Sequence, residues 1–338
     1  MFTKVYEKVK DFFKENYKTI IFLILFTIII NINLPFYINA PGGLMNVSDR
    51  VIIEDSYKSK GTLNMAYVTE MRANIPALIL SLFNKDWDIL KEEDLTYENE
   101  TMEDVYYRER LMLEESINNA IIVGFEKAGK KIEITSSKLF VTYIDKNALT
   151  DLKIGDEILS IDDKEITSTN EINDILSKKK ANDEITLKVI SDKKEVTKKA
   201  KLRKDDKKTV IGILITEKKE VETIPKVDIK FKKSESGPSG GLMTSLAIYN
   251  YLTEEDITHG KTIVGTGTID INGNVGSIGG VKYKLKGAIK NGAQAFLVPN
   301  GENYEDAIKL KKENNYDIEI IGVSTIDDAL NYLSKTKK

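Results

Sequence analysis

The chain has no cysteine. Disulfides, thiol nucleophiles and thiolate zinc sites are therefore excluded. It has a single histidine, His259. A multi-histidine metal centre cannot be assembled within one chain, and a Ser-His-Asp triad would have to use that one imidazole. His259 lies in the polar segment Thr258-His259-Gly260-Lys261, which reads as a surface turn. Neither sign of charge is in excess: 50 Lys and Arg stand against 53 Asp and Glu, a net charge of -3. That balance argues against a nucleic-acid-binding surface spread over the molecule. With 338 residues the chain is long enough for two or three domains of roughly 100–200 residues each.

One long apolar run is present. Ile20–Ile30 is strongly apolar at every position but Thr27, and the character continues past Asn31 and Asn33 to Phe36. The run is slightly shorter than the roughly 20 residues of a spanning helix. A secretory signal peptide has a similar core, but the preceding segment is long for one, and cleavage after Ala40 would place Pro41 next. Lys4, Lys8, Lys10, Lys14 and Lys18 precede the run, and no basic residue follows until Arg50. The expectation is an uncleaved transmembrane helix over 19–36, a cytoplasmic N-terminus over 1–18, and the remainder outside the cell membrane.

Beyond Ala40-Pro41-Gly42-Gly43, a strand-and-helix segment is expected over 37–131, on the outer side of the membrane. Val51–Ile53 and Thr62–Val68 read as strands, and Pro76–Phe83 as a short helix. Met102–Lys127 carries apolar residues at helical spacing and reads as a long helix, ended by Gly129. Gly124-Phe125-Glu126-Lys127-Ala128-Gly129-Lys130 fits G-x-x-x-x-G-K, but Lys131 stands where a magnesium-binding Ser or Thr is needed. A helix, not a strand, leads into it, so a nucleotide site is not expected and no cofactor is assigned.

Residues 132–204 read as a compact module, with strands at Leu139–Ile144 and Glu184–Ile190 and a helix at Asn170–Ser177. Between them runs Leu152-Lys153-Ile154-Gly155-Asp156-Glu157-Ile158-Leu159-Ser160-Ile161-Asp162, continuing to Ile166. This stretch resembles the PDZ family, in which L-x-x-G-D-x-I-x-x-I-[DN] marks the middle of the domain. The resemblance implies a β-barrel module that adds an extended peptide to a sheet edge. The groove strand is expected near Leu139–Tyr143. Ser136-Ser137-Lys138-Leu139-Phe140 stands where the Gly-rich carboxylate loop is usual. The charged stretch Lys201–Lys208 reads as a linker, and strands at Val210–Thr216 and Val227–Phe231 open a last domain over 209–338.

That domain holds Ser236-Gly237-Pro238-Ser239-Gly240-Gly241 directly before the apolar helical segment Leu242–Leu252. Glycines permit close backbone approach, and the free amides of a helix start favour negative charge. These features suit a nucleophile with an oxyanion hole, a phosphate site or a plain helix cap. Further on, Val281, Leu285 and Ala288 recur at i, i+4 and i+7 and define one buried stripe. Lys284 falls on that stripe, while Lys282 and Lys286 lie about 100° or more from Val281. A buried lysine loses its proton readily and can act as a base; a lysine whose stem reaches past the core edge to water cannot.

Gly237-Pro238-Ser239-Gly240-Gly241 is similar to the G-P-S-[AG]-G motif of Lon-type proteases, family S16. Thr266-Gly267-Thr268-Ile269, Gly273, Val275 and Ile278-Gly279-Gly280-Val281-Lys282-Tyr283-Lys284 follow in the family's order. The likeness continues through Ala288, Gly292-Ala293 and Leu297-Val298-Pro299. It implies that Ser239 is the nucleophile, that Lys284 is its base and that Thr266 lies near the lysine. Gly237 and Gly240 would flank an oxyanion hole made of backbone amides. Ser236 departs from the acidic residue that many members carry there. The whole order resembles the membrane-anchored, PDZ-containing Lon-like serine proteases. An α+β multidomain chain is expected, with a C-terminal Lon-type α/β proteolytic domain. The implied activity is ATP-independent endopeptidase cleavage of extracytoplasmic peptides or proteins, with the PDZ module presenting or gating substrate. Lon-type domains often form rings, so the implied partners are peptide substrates, the membrane and other copies of the chain. The rival reading is a non-catalytic PDZ scaffold at the membrane.

Overall fold

The computed structural model describes residues 2–206 and 208–336. Met1, Lys337 and Lys338, at the ends of the expected first and last segments, and Lys207 of the expected linker lie outside the described residues. The chain divides into two compact units, Met1–Ala40 with Thr69–Asp94, and Pro41–Val68 with Leu95–Lys338.

The first unit opens with the helix Phe2–Asn31. Its Ile21, Phe22, Leu23, Ile24 and Leu25 are each more than half exposed, as befits a segment with no core to bury it. The helix stops at Asn31, and Asn33–Asn46 is a strand whose residues Phe36–Asn39 pair antiparallel with Asp88–Lys91. The expected span over 19–36 is therefore not continuous helix. Its helical apolar part, Ile20–Ile30, is about 16 Å long, against a hydrocarbon thickness of about 30 Å. Among the described residues no helix is long and apolar enough to cross a membrane. A short helix, Ile75–Ser81, begins where Asn74 caps it by accepting from the Ala77 amide and Pro76 supplies a preset φ. Leu82 and Phe83, just beyond it, are exposed.

The second unit holds three buried clusters. One is built on the Met102–Lys127 helix, which packs against the Gly241–Leu252 helix. Thr101 and Asp104 close a reciprocal capping box at its start. Gly124 sits where a Cβ would come within 2.7 Å of Ile248 Cγ2. The glycine of the G-x-x-x-x-G-K look-alike thus serves helix contact, and the look-alike itself is a helix end. The second cluster lies under a parallel sheet in the spatial order Glu319–Val323, Ala295–Pro299, Thr262–Gly265, Thr62–Asn74. Ala66, Val264, Leu285, Phe296 and Val298 are buried there with the Val281–Lys290 helix. The segment expected at 37–131 is therefore not a separate domain. Its strand and its long helix complete the sheet and core of the C-terminal part.

The third cluster fills the module between them. Glu184–Ser191 alternates exposed and buried residues, burying Ile185, Leu187 and Val189, as a strand with one covered face must. The sheet runs Ile213–Ile224, Lys131–Ile144, Glu157–Ile161, Glu184–Ser191, Lys194–Lys201, Leu149–Thr150. The expected linker is a two-stranded hairpin, Arg203–Asp205 against Lys208–Val210. The strand expected at Val210–Thr216 to open the last domain instead runs Ile213–Ile224, and it pairs antiparallel with Lys131–Ile144 along its whole length. Within this module Asp156 is buried. Its Oδ2 accepts from the Lys153 amide at 2.7 Å and pairs with Lys198 Nζ at 2.8 Å. Lys198 also donates to Ser191 Oγ at 3.2 Å. The aspartate of the Gly155-Asp156 turn thus anchors an ion pair inside the module.

Candidate active site

Ser239 precedes the helix Gly241–Leu252, whose N-cap is Gly240 with no side-chain capping bond. The plain cap role for Ser239 is thereby removed. Three elements fix the loop around it. Gly237, at a φ of 83° that only glycine adopts freely, donates its amide to the carbonyl of Glu109 at 3.0 Å. Ser116 Oγ donates to the Pro238 carbonyl at 2.8 Å. The Ser239 carbonyl accepts from the Gly267 amide at 2.9 Å and from Thr266 Oγ1 at 3.1 Å. Thr266 is fully buried, and its own amide donates to the Leu297 carbonyl. The hydroxyl of Thr266, expected near the lysine, holds the backbone of the serine.

The backbone bonds also narrow the choice of oxyanion donors. The amides of Gly237, Gly241 and Leu242 donate to the carbonyls of Glu109, Pro238 and Gly267. Pro238 has none to give. Of the expected set Gly237–Gly240, this leaves the amides of Ser239 and Gly240, as free helix-start groups are left by helix geometry.

Lys284 is buried on the Val281–Lys290 helix together with Val281, Leu285 and Ala288, as the stripe requires. Lys282 and Lys286 are only partly buried. Burial holds the Lys284 amine at about 8, down from its ordinary 10.5, with the Glu109 carboxylate opposing the fall. The same carboxylate reaches the serine loop, since Glu109 Oε2 lies 3.1 Å from the place a Cβ on Gly237 would occupy. Lys284 and the loop of Ser239 thus share a neighbour. His259 lies in the turn beyond the far end of the Gly241–Leu252 helix. At 1.5 Å per residue those 12 residues span about 18 Å, which places the imidazole out of reach of Ser239.

A second concave surface belongs to the middle module. A groove of about 370 Å³ runs between the Thr169–Ser177 helix, through Ile172 and Leu176, and the start of the edge strand at Gly212-Ile213-Leu214-Ile215. The expected groove strand Leu139–Tyr143 lies one position further in, paired on both sides. Arg203 stands at one end of the groove, with Nη2 3.1 Å from Asp145 and a buried Nε that has no partner.

Comparison with known proteins finds a match in each of these two regions. Residues 230–335 match the Lon protease (S16) C-terminal proteolytic domain, and residues 120–202 match the PDZ domain. The Lon protease of Campylobacter concisus is 38% identical over 104 residues, 31% of this chain and 13% of that protein. The Lon protease of Azospirillum brasilense is 36% identical over 98 residues, 29% of this chain and 12% of that protein. This chain therefore spans about an eighth of the length of those relatives. A solved PDZ domain of an SdrC-like protein from Listeria monocytogenes is 25% identical, covering 25% of this chain and 92% of that one at a TM-score of 0.23. The chain thus joins a segment similar to the PDZ domain to one similar to the Lon proteolytic domain. In that order it is similar to PDZ-containing Lon-like proteins with a proteolytic domain of family S16.

Proposed function

We propose that this protein is an ATP-independent serine endopeptidase in which Ser239 is the nucleophile and Lys284 its general base. The observation that carries the reading is the burial of Lys284, which makes its neutral amine accessible near physiological pH. The amine takes the proton of the Ser239 hydroxyl, and the oxygen attacks the peptide carbonyl. The amides of Ser239 and Gly240 receive the developing oxyanion. The ammonium returns its proton to the leaving amine, and Lys284 then activates water to release the acyl group. The PDZ groove takes up an extended peptide along Ile213–Ile224 and presents or gates substrate.

In this reading the exposed apolar run Ile20–Ile30 attaches the chain to the cell membrane. The lysines ahead of it keep the N-terminus cytoplasmic and the site outside. Resistance to high-pH extraction and digestion by external protease test that placement; release at high pH would leave only surface association. For the chemistry, the detergent-solubilised full chain is incubated with short and unfolded peptides beside Ser239→Ala, Lys284→Ala and Lys282→Ala variants. The first two abolish cleavage and the third retains it. Cleavage that survives Ser239→Ala, or that depends on Lys282, contradicts the assignment.

A further inference from the structure

The neighbourhood of Lys284 contains a carboxylate that the matched proteolytic segment does not supply. Glu109 lies on the Met102–Lys127 helix, ahead of the PDZ module, whereas the match begins at residue 230. Its orientation is built in. Arg108 is bound to the buried carboxylate of Glu100 at 2.9 and 3.2 Å and lies over the Tyr97 ring at 4.7 Å. From that fixed position Arg108 Nη1 holds Glu109 Oε1 at 3.1 Å, which leaves Oε2 beside Gly237. The backbone carbonyl of the same residue accepts the Gly237 amide at 3.0 Å.

We propose that Glu109 is a positioning residue of the Ser239–Lys284 pair, its carboxylate stabilising the Lys284 ammonium that forms during acylation. The inference rests on the proposed hydrolase reading. When the Ser239 O–H bond breaks, the proton moves to Lys284 Nζ and the electron pair of the oxygen forms the new bond to the carbonyl carbon. A buried amine gains a charge in that step, in a place where burial resists charge. A fixed carboxylate nearby lowers the cost of that charge without moving. Arg108, Glu100 and Lys284 act on Glu109, and Glu109 in turn acts on Lys284. Glu109 itself is half-buried, and burial raises its carboxyl above the usual range. Its ionisation therefore has to be complete before the lysine can be served. The contact also ties the catalytic loop to the helix that carries the PDZ sheet, since Asn118 of that helix donates to the Lys219 carbonyl on Ile213–Ile224.

The test reads the lysine directly. The full chain in detergent is labelled with lysine carrying ¹³C at Cε and titrated by NMR, with Lys284→Arg identifying the Lys284 signal. In Glu109→Gln the Lys284 midpoint falls by about one pH unit, because an opposite charge is lost. Glu109→Asp restores part of the shift. With peptide substrate, Glu109→Gln moves the acidic limb of the pH–rate profile down by the same amount and lowers kcat about tenfold with KM unchanged. A Lys284 midpoint identical in wild type and Glu109→Gln overturns the inference, whatever the activity. A midpoint that moves with Glu109 in a protein that cleaves nothing upholds the pairing and removes the hydrolase reading instead.

Discussion

Two buried lysines sit in the same unit and are treated in opposite ways. Lys198, in the PDZ module, is 7% exposed and bonded to Asp156 and Ser191. Lys284, in the segment that matches the proteolytic domain, is 4% exposed, and the carboxylate acting on it is already engaged by Arg108. Burial is nearly equal, so burial alone does not make a base. The difference is the direct partner. Where a carboxylate is in contact, the lysine is tied into the module as part of its structure. Where it stands off, the amine is free to trade its proton.

Substitutions can break this contrast at several points. The largest effect falls on the unpartnered lysine: Lys284→Ala, like Ser239→Ala, lowers peptide cleavage on the order of 1,000-fold or more in a steady-state assay. The partnered lysine responds through stability. Asp156→Ala strands the Lys198 charge inside the module and costs about 3–5 kcal/mol in denaturant unfolding. Replacing both partners with apolar residues recovers most of that. Lys284→Met has the opposite sign. The folded amine titrates at about 8 and the unfolded one at its ordinary 10.5, so the unfolded chain binds more protons between those values. Stability of the wild type accordingly rises with pH from about 8 to 10.5, and the cost of the buried amine is fully present below 8. Removing the amine at pH 7 stabilises the fold by roughly 3 kcal/mol, a gain that thermal unfolding should show vanishing above about pH 10.5. The smallest effect is at Lys282, which is only partly buried: Lys282→Ala changes stability by less than about 0.5 kcal/mol and leaves cleavage within about twofold.

Much of the contrast was legible in the sequence, and the reasons differ by element. The stripe Val281, Leu285, Ala288 singled out Lys284 because helix periodicity is local and the core it faces is strongly apolar. The Met102–Lys127 helix was readable to its last residue for the same reason, with a capping box at one end and Gly129 past the other. The Ile213–Ile224 strand was only half visible. Glu217, Lys218, Lys219 and Glu220 lack the alternation of a half-buried strand, and its pairing with Lys131–Ile144 joins distant stretches of chain. The expected groove strand, Leu139–Tyr143, is an inner strand for the same reason. The end of the first helix at Asn31 was missed because apolarity continues to Phe36 while the backbone turns extended. Glu109 carries no local signal at all. Its position beside Gly237 exists only once the PDZ module has been bridged by the fold.

The central claim is that Ser239 becomes nucleophilic when Lys284 loses its proton. It is tested most directly by labelling the full chain with a serine-reactive fluorophosphonate across pH, with the modified residue located by mass spectrometry. The account predicts labelling at Ser239 that rises with a midpoint near 8 and is lost in Lys284→Ala. Labelling of Ser239 that is independent of pH and survives Lys284→Ala would contradict it.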